Sequence, residues 1–242
     1  MASDRDEERI SRVLVIVAHP DDVDFGSAGT IAQWVEAGIA VSYCIVTNGE
    51  AGGSDRSVSR ADMVAIRQAE QTAAAKQLGV YDLQFLGYPD GQVEPSLTLR
   101  RDLARVIRLL HPDRVMCPSP ERNYARMGVS HPDHRAVGSA ALDAVYPDAR
   151  NPFAFPDLLA TEKLAPWTVR EVWIAASPTP NRYVDITDNF SRKMAALRCH
   201  ASQISDPDGL EDRLRGMLGR AAVAGGLPEG RLAETFQVLQ VG

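Results

Sequence analysis

The sequence runs to 242 residues, 45% hydrophobic and 24% charged, a length and balance that suit one soluble α/β domain with a sizeable core. A formal charge of −6 argues against nucleic acid or an acidic membrane as partner, since both call for a basic surface. No apolar run approaches the roughly 20 residues of a membrane span.

Residues 1–12 are charged and lack the apolar core of a signal peptide. They are expected to form a tail over 1–11 on a single domain covering 1–242. Cys44, Cys117 and Cys199 are dispersed and form no CxxC pair, as in a reducing compartment, so the expected location is cytoplasmic.

Val13 to Ala18 is short and uniformly apolar, the mark of a strand buried on both faces, and Pro20 ends it. Helical spacing follows from Phe25 to Ala37, stopped by Gly38, then a second buried strand from Ala40 to Val46. That strand runs into the glycine-rich stretch Thr47–Gly53. A helix is predicted over Arg60–Leu78, a strand over Asp82–Leu86, a helix over Leu97–Leu110 and a strand over Arg114–Cys117.

A further helix is predicted from about His131 to Val145, with Ser130 as its N-cap, and irregular chain from Pro147 to Pro166. Late strands over Val169–Ala175 and Arg182–Ile186 and helices over Asn189–His200 and Leu210–Ala224 complete the pattern. Residues 225–242 read as a tail with a short apolar segment. Strands alternating with helices of this length predict an α/β fold with a mostly parallel sheet, helices on both faces and the strand-end loops on one rim.

Two polar clusters should meet on that rim. His19, Asp21 and Asp22 follow the first strand, where open α/β sheets place ligands, and His131, Asp133 and His134 open a helix. Two histidines with a carboxylate and an open position are a familiar catalytic zinc arrangement, and the same donors admit iron(II) or manganese. A second carboxylate beside such a metal can serve a metal-activated water as general base.

The stretches Ala18-His19-Pro20-Asp21-Asp22, Gly26-Ser27-Ala28-Gly29-Thr30, Thr47-Asn48-Gly49-Glu50 and His131-Pro132-Asp133-His134 together resemble the LmbE-like (PIG-L) family of zinc-dependent N-deacetylases. Arg67, Glu70, Leu78-Gly79, Gly87-Tyr88-Pro89-Asp90 and, more loosely, Ala196–Gln203 extend the likeness. The resemblance implies a Rossmann-like sheet and removal of N-acetyl groups from N-acetylglucosamine-type amino sugars. It implies His19, Asp22 and His134 as zinc ligands and Asp21 as base. His131 then steadies the oxyanion or protonates the amine, Asp133 orients an imidazole, and Arg67 and Asp90 hold sugar hydroxyls.

Two positions depart from the family pattern. Ala28 stands where glycine is frequent, and Val129 stands where mycothiol-pathway relatives carry an assisting tyrosine. Tyr124 is either its substitute or a packing residue. His200 is structural or lies beside the substrate. The alternatives to sugar deacetylation are a zinc amidase acting on a mycothiol-type thiol conjugate and a non-catalytic sugar- or nucleotide-binding protein. Neither GxGxxG nor GxxxxGK[ST] is present to favour a nucleotide. The expected partner is a small amino sugar, and self-association into a homo-oligomer is left open.

Overall fold

The computed structural model describes residues 10–53 and 55–242. The tail expected over residues 1–11 lies outside these, except for its last two residues, which belong to the fold. Ile10 is buried in the core, and Ser11 donates its N–H and hydroxyl to Asp113 Oδ2 at 2.8 and 2.9 Å.

β1 (Arg12–Val17) is buried after its first residue because both faces of the sheet are covered. It pairs in parallel with β2 (Ala40–Thr47) on one side and β4 (Arg114–Pro118) on the other. β3 (Asp82–Tyr88) extends the sheet beyond β2, and β5 (Glu171–Ala175) beyond β4. Successive residues of β1 serve opposite faces. Leu14 and Ile16 pack with Leu103 of α3 (Leu97–Leu110) and Val137 of α4 (Pro132–Asp143). Val13 and Val15 pack with Ile31 of α1 (Asp22–Glu36) and Ala75 of α2 (Arg60–Leu78).

Two predicted elements differ in the structure. The first helix begins at Asp22 rather than Phe25, because the chain turns directly out of the loop after β1. The stretch read as a tail contains β7 (Ala233–Gln240), which runs antiparallel between β5 and β6 (Arg182–Asp185) and gives the order β3-β2-β1-β4-β5-β7-β6. Its alternation is visible in Phe236, Gln237 and Val238, but only the gap between two other strands makes it a strand. The proline-rich stretch also holds a short helix, α5 (Pro156–Ala160). α6 (Phe190–Leu197) and α7 (Leu210–Ala224) complete the described elements, and no helix among them is long and apolar enough to cross a membrane.

A buried ion pair fastens β7 and α6 to the helix below the site. Lys193 Nζ lies 2.7 Å from Glu234 Oε1, both side chains being almost wholly buried. Glu234 also accepts from the N–H groups of Gly29 and Thr30 and from the Thr30 hydroxyl, while Lys193 donates to the carbonyls of Asp24 and Phe25. Gly29 N–H and Phe25 C=O are the groups that a regular helix would pair with each other. The ion pair therefore satisfies α1 from outside. A side chain at 29 would collide with Ile186, which keeps glycine there.

Removing one partner leaves the other charge buried, so Lys193→Met should cost about 3–5 kcal/mol in a denaturant titration. The double substitution Lys193→Met with Glu234→Leu should cost clearly less than the sum of the two single changes.

Candidate metal centre and active site

His19 follows β1 by two residues and is buried, at the rim where the parallel strands end. The next three residues are shaped by a backbone that L-residues rarely adopt: Asp21 has φ 91°, a conformation costing about 1–3 kcal/mol outside glycine. Several bonds hold it there. The Asp21 N–H donates to Gln71 Oε1 at 2.7 Å, and its carbonyl accepts from Asp24 and Phe25, opening α1. Asp22 Oδ2 accepts from the His19 N–H at 2.8 Å, so the turn bonds back on itself.

Arg67 and Gln71 come from the face of α2 that also carries Met63, Ala74, Ala75 and Leu78. Arg67 donates to Gly49 O at 2.8 Å, to Pro20 O, and to Asp21 Oδ2 at 3.0 Å, and it is only 4% exposed. Glycine at 49, with φ +69°, lets the guanidinium lie against the backbone where a side chain would collide with it. Behind this layer, Gln71 Nε2 donates to Asp24 Oδ2, which also faces His200 Nε2 at 2.8 Å. His200 is fully buried, which answers the question left open for it in favour of a structural place.

His134 stands on the first turn of α4. The N-cap of that helix is His131, whose Nδ1 accepts from the Asp133 N–H at 3.2 Å, and Ser130 instead accepts from Asn123 N–H. Asp133 is fully buried and accepts from Gly91 N–H at 2.7 Å, Val93 N–H at 3.3 Å and His19 Nε2 at 3.1 Å. Asp90 also faces His19 Nε2 at 3.1 Å, and its other oxygen accepts from Ala51 N–H.

These contacts fix where each imidazole carries its proton. His19 donates from Nε2 to Asp133 and Asp90, and His134 donates from Nδ1 to Val129 O at 3.2 Å. The bare nitrogens, His19 Nδ1 and His134 Nε2, then face each other across 3.2 Å, with Asp22 Oδ1 2.9 Å from His134 Nε2 and Oδ2 3.4 Å from His19 Nδ1. Two lone pairs and a carboxylate turned toward one point suit a divalent cation. The donors of His19, Asp22 and His134 all lie within 4.8 Å of one another. His19, His131 and Asp133 form a second such group, but the Asp133 oxygens and the His131 Nδ1 are already bonded.

The surrounding carboxylates draw positive charge to the same point. Burial lowers the His19 pKa, but hydrogen bonding to Asp22 and Asp90 and their charges outweigh it and raise it to about 11, so a proton on Nδ1 and a cation compete for that position. Burial opposes ionisation of Asp22, yet the two histidines hold its carboxyl far below the usual range. The pocket favours positive charge between these groups. Asp21 behaves differently: burial and the charge of Asp22 raise it to about 7, against the pull of Arg67, His200 and His19. Burial and the His19 charge lower the pKa of half-exposed His131 and favour its neutral form.

The turn after β1 and the first turn of α4 thus bring together His19, Asp21, Asp22, His131, Asp133 and His134. Arg67 and Asp90 line the same rim, each engaged with protein groups. Tyr124 is 83% exposed, so it is not a packing residue. Sequence reading missed Gln71, Asp24 and Glu50, whose Oε1 accepts from Asp90 N–H. Gln71 had a signal: it sits one helical turn from Arg67 on an otherwise apolar face.

A histidine–aspartate cluster that could hold a metal, with a further carboxylate beside it at the carboxyl ends of a parallel sheet, is the arrangement of metal-dependent hydrolases. More narrowly, the chain belongs to the PIG-L family, described as GlcNAc-PI de-N-acetylase, which it matches over residues 14–145. It is 33% identical to the diacetylchitobiose deacetylase of Thermococcus kodakarensis over 197 residues, covering 81% of this chain and 72% of the relative. A probable N-acetyl-α-D-glucosaminyl L-malate deacetylase 2 of Bacillus anthracis is 30% identical, with 80% of this chain and 81% of the relative covered. The solved structure of the N,N'-diacetylchitobiose deacetylase of Pyrococcus horikoshii superposes with a TM-score of 0.89 at 32% identity, covering 98% of this chain and 86% of that one.

Protein dialysed against a divalent metal should carry one ion per chain by elemental analysis. His134→Ala should reduce that clearly below one, and full stoichiometry in the variant would rule out the ligand set His19, Asp22 and His134.

Proposed function

We propose that the protein is a zinc-dependent N-deacetylase that hydrolyses the acetamide of an N-acetylglucosamine-type amino sugar. The observation that carries this reading is the pair of facing ring nitrogens on His19 and His134, with Asp22 against both and the carboxylate of Asp21 held at their side by Arg67. Zinc suits a donor set of two imidazoles and a carboxylate, and iron(II) would fit the same donors. The named activities of the relatives support the substrate class, and free cysteines, with Cys44 and Cys117 buried, agree with a cytoplasmic location. The acidic balance agrees with a small-molecule partner rather than nucleic acid.

A divalent ion held by His19, Asp22 and His134 would supply Lewis-acid polarisation of the acetamide carbonyl and would make a water more acidic. Asp21, raised to about 7 by burial and the charge of Asp22, is the base that takes the proton of the attacking water. It then returns the proton to the departing nitrogen as the C–N bond breaks. Neutral His131, with Nδ1 occupied by the helix cap, carries its proton on Nε2 and donates to the developing oxyanion. Asp133 fixes the tautomer of His19. The products are acetate and the free amine.

Arg67 reads best as a positioning residue for Asp21, since its two Nη groups bond Asp21 and the carbonyls of Pro20 and Gly49. Asp90 keeps lone pairs for a substrate hydroxyl beside its bond to His19. Asp21→Asn should retain metal and lose roughly 10²–10⁴-fold in kcat. Near-normal turnover would remove Asp21 from the mechanism.

The charge of Arg67 lowers the Asp21 pKa, so Arg67→Met should raise it. The acidic limb of the kcat profile should therefore move to higher pH. The loss should be alike on an N-acetylglucosamine compound and on a small acyclic acetamide. A loss confined to the sugar, with an unmoved limb, would make Arg67 a sugar clamp instead.

A further inference from the structure

A cavity of about 430 Å³ opens beside the metal centre, on the side of β4 and β5. Its walls are mostly apolar: Val17 and Met116 from the sheet, and Leu214, Met217, Leu218 and Ala221 along one face of α7. Asp22 and His134 form part of its lining, so whatever fills it touches the metal ligands. Two further charged residues border it: Glu234, whose carboxylate Lys193 neutralises, and Arg126, at the mouth beside Met217, whose Nη2 lies 3.3 Å from the Met217 sulfur. An acetyl methyl group is comparable in size to a water molecule, whose share of liquid volume is about 30 Å³. The cavity holds more than ten times that.

The other side of the centre is different. Glu50 and Asp90, from the loops after β2 and β3, form a hydrogen-bonding wall, while Arg67 of α2 is engaged with Asp21. A trans amide sends its acyl and its nitrogen substituents in opposite directions. With the carbonyl at the metal centre, a hydroxyl-rich amine faces the polar wall and the acyl group faces the cavity.

We infer that this site accepts amides of medium-chain acyl groups, about C4 to C8, on an amino sugar, and that the cavity against α7 is an acyl-chain site. The inference rests on the deacylation reading above and goes beyond it in the acyl group. The chemistry is unchanged: water adds its oxygen to the acyl carbon, the C–N bond breaks, and carboxylate and protonated amine leave.

Zinc-loaded protein titrated calorimetrically with acetohydroxamate, butanohydroxamate and octanohydroxamate tests the cavity without turnover, because the chelating head is common to all three. Affinity should rise about three- to fourfold for each methylene until the cavity is filled. In Ala221→Phe, which projects a ring into the cavity from α7, the octano-to-aceto ratio should fall at least tenfold. Equal affinity for all three tails, or an unchanged ratio in the variant, would overturn the inference. If Ala221→Phe does not fold, the series on the unaltered protein decides alone.

In parallel, kcat/KM on N-octanoylglucosamine should exceed that on N-acetylglucosamine by tenfold or more. A gain for the octyl glycoside of N-acetylglucosamine with none for the N-octanoyl amide would give the cavity to the aglycone and also overturn the inference. If no N-acylglucosamine is cleaved, the proposed function fails, while the hydroxamate series still reads the cavity.

Discussion

The reversal at Asp21 is the constraint on which the site depends. Only four residues, Ala18 to Asp21, separate the last strand residue of β1 from the first residue of α1. Within them the chain must turn His19 and Asp22 toward one point and leave Asp21 beside it. A left-handed backbone at Asp21 achieves this, and it is tolerated because Gln71 and Arg67 bond the turn from α2 while Asp22 bonds it from within. Those helpers are themselves held, Gln71 by Asp24, which His200 holds in turn, and Arg67 by the carbonyl of Gly49. The polar layer under the turn acts as one unit.

The same turn sets the division of the rim. Because β1 lies at the centre of the parallel strands, loops from β2 and β3 arrive on one side of His19, and those from β4 and β5 on the other. The first side is built from carboxylates and a guanidinium, the second from apolar strand ends and α7. A single centre therefore meets two solvents, one polar and one oily, within the width of a few strands. Such a boundary favours an amphipathic ligand aligned across it.

Much of this was legible in the sequence, and the reason is local. β1 is apolar on both faces, which only a covered sheet requires, and α2 and α3 carry their caps in Ser59 and Ser96, so their bounds were readable residue by residue. The histidine and aspartate clusters were visible because no packing role explains them. What escaped depends on distant partners. β7 becomes a strand only between β5 and β6, and His131 displaces Ser130 as cap because Ser130 is bonded to Asn123. The bonds of Arg67 to Pro20 and Asp21 likewise depend on a turn 46 and 47 residues away in the sequence.

The ion pair between Lys193 and Glu234 has a consequence for assembly order. Glu234 belongs to the last of the described elements in the sequence, yet it completes the bonding of the helix that begins with Asp22. A growing chain emerging from the ribosome holds His19, Asp22 and His134 long before it holds that carboxylate. Until β7 is added to the sheet, Gly29 and Thr30 of α1 lack the acceptor that Glu234 gives them, so the helix that opens at the candidate centre receives its last outside bonds from the end of the chain.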